Sequence, residues 1–219
     1  MPCCCGQNYD QPFNLKTAKR QLKRYQRRGP TGATRRLLTA IFERCSGPDS
    51  LLDIGGGVGV LQHELATRIT DRITAVEASA AYLNVVHDEA RRRCYGGRHY
   101  CVEGDFVGVA QALPIHTIAT LDKVICCYPD MNALVRASAG KTARLYGIVV
   151  PRDHLGVRIA AAIGNILLRL MRWNFRSFVH RHSAIDAAAA AAGLTLVYDD
   201  PGLFWSVRIY ERHVSNTNV

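Results

Sequence analysis

The chain has 219 residues, 48% of them hydrophobic, and its 28 basic against 18 acidic side chains leave a net charge of +10. That is enough apolar material for one full-sized core, and the length favours one domain, or one domain with an appendage. No apolar segment of a signal peptide follows Met1. The long apolar stretch from Leu155 to Leu170 is broken by Arg158, Asn165 and Arg169, so it falls short of a membrane span and a cytoplasmic protein is expected.

Residues 1–13 open on Cys3, Cys4 and Cys5 and read as a flexible, cysteine-containing tip. The remaining cysteines are Cys45, Cys94, Cys101 and the adjacent Cys126 and Cys127. No Cys-x-x-Cys pair recurs downstream, so no metal is expected and most thiols should be free in a reducing compartment. Residues 14–46 read as a helical cover. Leu15, Ala18, Leu22 and Tyr25 recur at helical spacing, Gly29-Pro30-Thr31-Gly32 interrupts, and a second helix carries Leu37, Leu38, Ile41 and Phe42 inward. Nine basic residues from Lys16 to Arg36 have no acidic residue among them. Such a face attracts nucleic acid, an anionic membrane or an anionic small substrate, and is also what a solvated helix face looks like.

From residue 47 to 219 strands and helices alternate. Strands are predicted over 51–54, 73–76, 99–102, 120–126 and 145–150, the last stopping at Pro151. Helices are predicted over 58–69, from a Ser79 cap to Arg93, and over 130–144. This alternation calls for a parallel sheet covered on both faces. A mainly apolar helical segment over 154–173 then breaks the rhythm. It is followed by a helix from Ser183 to a Gly193 cap and two closing strands over 194–198 and 207–210, with Asp200-Pro201-Gly202 in the turn between them. The apolar segment is compatible with a homodimer surface or a peripheral membrane contact, and a lid over an apolar ligand is the expectation.

Asp53-Ile54-Gly55-Gly56-Gly57-Val58-Gly59 follows the first strand and opens a helix. Its glycines allow a tight turn and close backbone approach to a ligand. The third glycine of the dinucleotide pattern is replaced by Gln62, which argues against an NAD-dependent oxidoreductase. Asp53 at the head of the loop suits a ligand carrying an ammonium group. Glu77, followed by Ala78, ends the second strand, where a carboxylate accepts hydrogen bonds from ribose hydroxyls. Asp105, in Glu103-Gly104-Asp105-Phe106, is placed to reach an adenine amino group, with Phe106 against the base.

Asp53 to Gly59, Glu77, Asp105 and Leu121-Asp122 together resemble the successive motifs of class I S-adenosylmethionine-dependent methyltransferases. Val124-Ile125-Cys126-Cys127-Tyr128-Pro129 and Phe178-Val179-His180-Arg181 further resemble segments of the magnesium-protoporphyrin O-methyltransferases, which the chain departs from at Cys127, where that family carries a histidine. The resemblance implies an α/β fold, a Rossmann-like seven-stranded, mostly parallel sheet with N-terminal helices and a helical insertion after strand five at 154–176. It also implies S-adenosylmethionine as cofactor, with Leu121 and Asp122 near its methionyl end, and a small-molecule acceptor methylated on an oxygen of an aromatic or carboxylate-bearing metabolite. Candidate acceptor-side groups are Tyr25, Cys127, Tyr128 and Asp130, with Tyr128 orienting the acceptor and His154 or His180 as a general base. A nucleic-acid methyltransferase is the first alternative. Its usual Asp/Asn-Pro-Pro-aromatic signature is replaced here by Cys127-Tyr128-Pro129-Asp130. A nucleotide-binding protein without catalysis is the second.

Overall fold

A computed structural model describes residues 13–45, 49–68, 71–173 and 175–212. Of the expected cysteine-containing tip over 1–13, residues 1–12 with Cys3, Cys4 and Cys5 lie outside the described residues, and Phe13 is described. Seven strands form one sheet: β1 (Leu51–Ile54), β2 (Ile73–Glu77), β3 (His99–Glu103), β4 (His116–Asp122), β5 (Thr142–Pro151), β6 (Leu194–Pro201) and β7 (Trp205–Arg212). Their order is β3-β2-β1-β4-β5-β7-β6. The first five run parallel, and β7 lies antiparallel between β5 and β6. The connection order reverses between β1 and β4, the place where open α/β sheets leave a crevice at the strand ends.

The α-helices among the described residues are α1 (Leu15–Arg28), α2 (Gly32–Phe42), α3 (Val60–Leu65), α4 (Ala80–Arg92), α5 (Phe106–Val109), α6 (Met131–Gly140), α7 (Leu155–Leu170) and α8 (His182–Ala191). Strand periodicity divides the core between two faces. Leu52, Ile54, Tyr146 and Ile148 pack with α6 and α8 on one side, while Leu51, Leu145 and Val149 meet Leu37, Leu38 and Ile41 of α2 on the other. Gly147 lets α2 approach closely, because a Cβ there would lie 3.0 Å from the Leu37 Cδ1 and 3.3 Å from the Ile209 Cδ1.

Several expected boundaries are corrected. The fourth strand ends at Asp122, since Lys123 takes a positive φ of 64°, and the β-branched run beyond it is a 3₁₀ turn over Ile125–Cys127. β5 begins at Thr142, which shortens α6, and it carries Pro151 as its last residue. β6 runs through Asp200 and Pro201, so the connection to β7 lies beyond them. The third helix is six residues long, and Ile69, its expected end, is outside the described residues. Ser79 makes no cap bond to α4; its hydroxyl instead donates to the Phe13 carbonyl at 2.8 Å. On α1, Ala18 and Tyr25 are buried, whereas Leu15 is 45% exposed. The expected lid behaves differently again. α7 buries no residue and exposes Leu155, Ile159, Ile163, Ile166, Leu167 and Leu170. No described helix is long and apolar enough to cross a membrane.

Candidate cofactor and acceptor site

A cleft of about 460 Å³ opens at the C-terminal ends of β1, β2 and β4, at the crevice the topology creates. Its floor is the loop Gly55-Gly56-Gly57. Asp53, at the end of β1, is fully buried beneath that loop. Thr120 Oγ1 donates to one of its oxygens at 2.7 Å and Gln62 Nε2 to the other at 2.8 Å. The backbone wraps so tightly over this carboxylate that a Cβ on Gly56 would lie 2.0 Å from Asp53 Oδ2. Burial pushes the Asp53 carboxyl up to about 6, against the two hydrogen bonds that lower it. Asp53 therefore lies beneath the loop, tied to β4 and α3, rather than lining the cleft. The expected ammonium contact is not the place its side chain occupies.

Glu77 does line the cleft, with Ala78 beside it. Gly57, held at a φ of +58°, turns its N–H toward the Glu77 carboxylate at 3.2 Å, and the Ala78 N–H donates to the other oxygen at 2.9 Å. Burial dominates its titration and lifts the carboxyl up to about 7 despite these amides. Asp105 and Phe106 form the next part of the wall, and the Tyr128 hydroxyl donates to Asp105 Oδ2 at 2.9 Å. At the end of β4, Asp122 receives hydrogen bonds from Thr34 Oγ1 at 2.6 Å and from Lys123 Nζ at 2.9 Å. Cys127 and Tyr128 close that side. The cover and Phe13 just before it supply the roof: Phe13, Arg24, Tyr25, Thr31 and Thr34 all face the cleft.

The structure thus brings together Gly55, Gly56, Gly57, Glu77, Ala78, Asp105, Phe106, Asp122, Tyr25, Cys127 and Tyr128. It sets the other expected residues outside the cleft. Leu121 is fully buried in the sheet, and Gly59 caps α3 in a left-handed conformation. Asp130 caps α6, accepting from the Ala133 N–H at 3.0 Å. His154 is exposed and caps α7, accepting from the Gly156 N–H. His180 Nε2 donates to the Tyr128 carbonyl at 3.0 Å, and burial holds its imidazole below the usual value. It supports Tyr128 from behind instead of facing an acceptor. The Tyr25 hydroxyl is taken by Glu64 Oε1, so its ring, not its oxygen, is offered to the cleft. Sequence reasoning missed Phe13, Thr34 and Lys123. Only Lys123 left a trace, as a lone base directly after Leu121-Asp122.

No family model matches the sequence, and no curated protein matches it. Solved structures do match in overall fold, several of them methyltransferases. The chain is similar to magnesium protoporphyrin IX methyltransferase from Synechocystis PCC 6803 with bound SAH, at a TM-score of 0.66 and 15% identity, over 94% of this chain and 88% of that one. An O-methyltransferase family protein from Burkholderia thailandensis gives a TM-score of 0.72 at 12% identity, over 96% of this chain and 64% of that one. An O-methyltransferase family 2 protein from Planctomyces limnophilus, in complex with apigenin, gives 0.65 at 16% identity, over 91% and 62%. At these identities the likeness establishes the fold.

Proposed function

We propose that this protein transfers a methyl group from S-adenosylmethionine to an oxygen of a small aromatic or carboxylate-bearing acceptor. The observation that carries the reading is the placement of Gly55–Gly57, Glu77 and Asp105 around one cleft at successive strand ends. The residues suit the cofactor. The Glu77 carboxyl, pushed up to about 7 by burial despite its backbone amide donors, gains further donors from a pair of ribose hydroxyls. The cleft volume falls within the range of small-molecule sites, roughly 300–1,000 Å³.

When bound, the cofactor supplies an electrophilic methyl on a sulfonium. The chain's own part is to hold the acceptor oxygen in line and keep water out. Tyr128 is fitted to orient an acceptor, since Asp105 fixes its hydroxyl and His180 its backbone. Phe13, Tyr25 and Phe106 provide apolar walls for a ring, and Arg24 places positive charge at the same cleft, where the Lys123 ammonium is paired with Asp122. With His154 and His180 outside it, alignment and desolvation carry the reaction rather than an imidazole base.

The test is calorimetric titration with S-adenosylhomocysteine beside NAD. S-adenosylhomocysteine should bind, and Glu77→Ala should weaken it by about ten- to a hundredfold, the worth of hydrogen bonds to a charged group. Binding of NAD alone would overturn the reading.

A further inference from the structure

A second cluster of chemistry lies behind the cleft, at the open edge of the sheet. β3 is the edge strand, and His99 and Cys101, two residues apart on it, share a face. His87 of α4 stacks over His99, with ring centroids 6.2 Å apart and planes 28° from parallel. The ligand atoms of His87, His99 and Cys101 all lie within 4.8 Å of one another.

The hydrogen-bond network assigns the proton on His99. The Gln62 amide nitrogen donates to Asp53, so its oxygen faces His99 Nε2 at 2.7 Å. An amide oxygen only accepts, so Nε2 carries the proton and Nδ1 keeps its lone pair. That lone pair points toward Cys101 Sγ at 3.5 Å. Metal-bound histidines commonly donate their other N–H to an oxygen acceptor in this way, which fixes ring and tautomer.

We propose that His87, His99 and Cys101 bind a borderline-soft divalent cation of the zinc type, with a fourth position open to water. Zinc bonds of about 2.0 Å to nitrogen and 2.3 Å to sulfur place neighbouring ligand atoms roughly 3.5 Å apart, the separation Nδ1 and Sγ already have. His87 closes the remaining distance of about 1 Å by side-chain rotation, a shift within ordinary rotamer freedom. On binding, Cys101 loses its thiol proton to solvent and ligates as thiolate. The site joins the cofactor loop through one chain of bonds, from His99 to Gln62 to Asp53.

The experiment is titration with Co2+ alone, followed by displacement with Zn2+. It uses the full chain carrying Cys3→Ser, Cys4→Ser and Cys5→Ser, so that those thiols do not compete. A thiolate-to-cobalt charge-transfer band should appear and vanish on adding Zn2+. Cys101→Ser, at an exposed position, should abolish the band, and Cys94→Ser should keep it. His87→Ala should weaken binding by about tenfold or more. Absence of the band, or a band that survives Cys101→Ser, overturns the proposal, with the melting curve of each variant confirming that it is folded.

Discussion

Glu77 accepts a proton near neutrality because burial outweighs the amides of Gly57 and Ala78. Its ionised form is the better partner for two ribose hydroxyls, so the proton and the cofactor compete. The sign follows. Affinity for S-adenosylhomocysteine should be highest above about pH 7 and fall as pH drops through it, approaching tenfold per unit below. Glu77→Gln should bind more weakly and flatten the profile between about pH 8 and pH 6. An unchanged slope in Glu77→Gln would assign the titration to another group. At this scale the sequence was informative about residue type and less so about direction. Asp53 and Glu77 both stand at strand ends after apolar runs, yet one is sealed beneath the glycine loop and the other faces the cleft. What separates them is Gln62 and Thr120, partners on α3 and β4 that no local pattern ties to Asp53.

Elements show where periodicity suffices and where it fails. The inward face of α2 was legible because Leu37, Leu38 and Ile41 recur at helical spacing, and all three are buried. Its docking depends on Gly147 in the middle of β5, whose absent Cβ leaves room for Leu37 and Ile209. Gly147→Val should overpack this contact and cost about 1–3 kcal/mol, read as a lowered denaturation midpoint with an unchanged slope. Full stability in that variant would mean that α2 shifts freely on the sheet. The run Val124–Cys126 misled in the opposite way. Its β-branched, apolar character matches a strand, but the left-handed Lys123 ends the ladder and turns the backbone over the cleft. α7 carries a clear apolar pattern too, and that pattern says nothing of which surface it meets.

Over the whole molecule, the sheet was legible in outline because glycines and prolines punctuate alternating apolar runs, and residues 14–46 were legible as a helical cover with Tyr25 on the acceptor side, while the contacts that seat the cover were not. A basic amphipathic helix has no sequence mark for the groove it closes. The cover is tied in by contacts from distant parts of the chain: Ser79 to the Phe13 carbonyl, Thr34 to Asp122, and Tyr25 to Glu64. Since Phe13, Arg24 and Tyr25 line the same cleft as Glu77 and Asp105, a ligand there bridges the cover and the parallel sheet. Any opening of α1 that empties the cleft must then release the ligand, and a ligand at about a hundred times its Kd opposes this by about 2.7 kcal/mol. Amide hydrogen exchange in α1 should therefore slow by up to about a hundredfold on saturation with S-adenosylhomocysteine. Exchange in α7, none of whose residues line the cleft, should stay unchanged. Equal protection of the two helices would show a general tightening, and protection of α7 alone would place the ligand's roof in the insertion after β5 instead of the N-terminal helices.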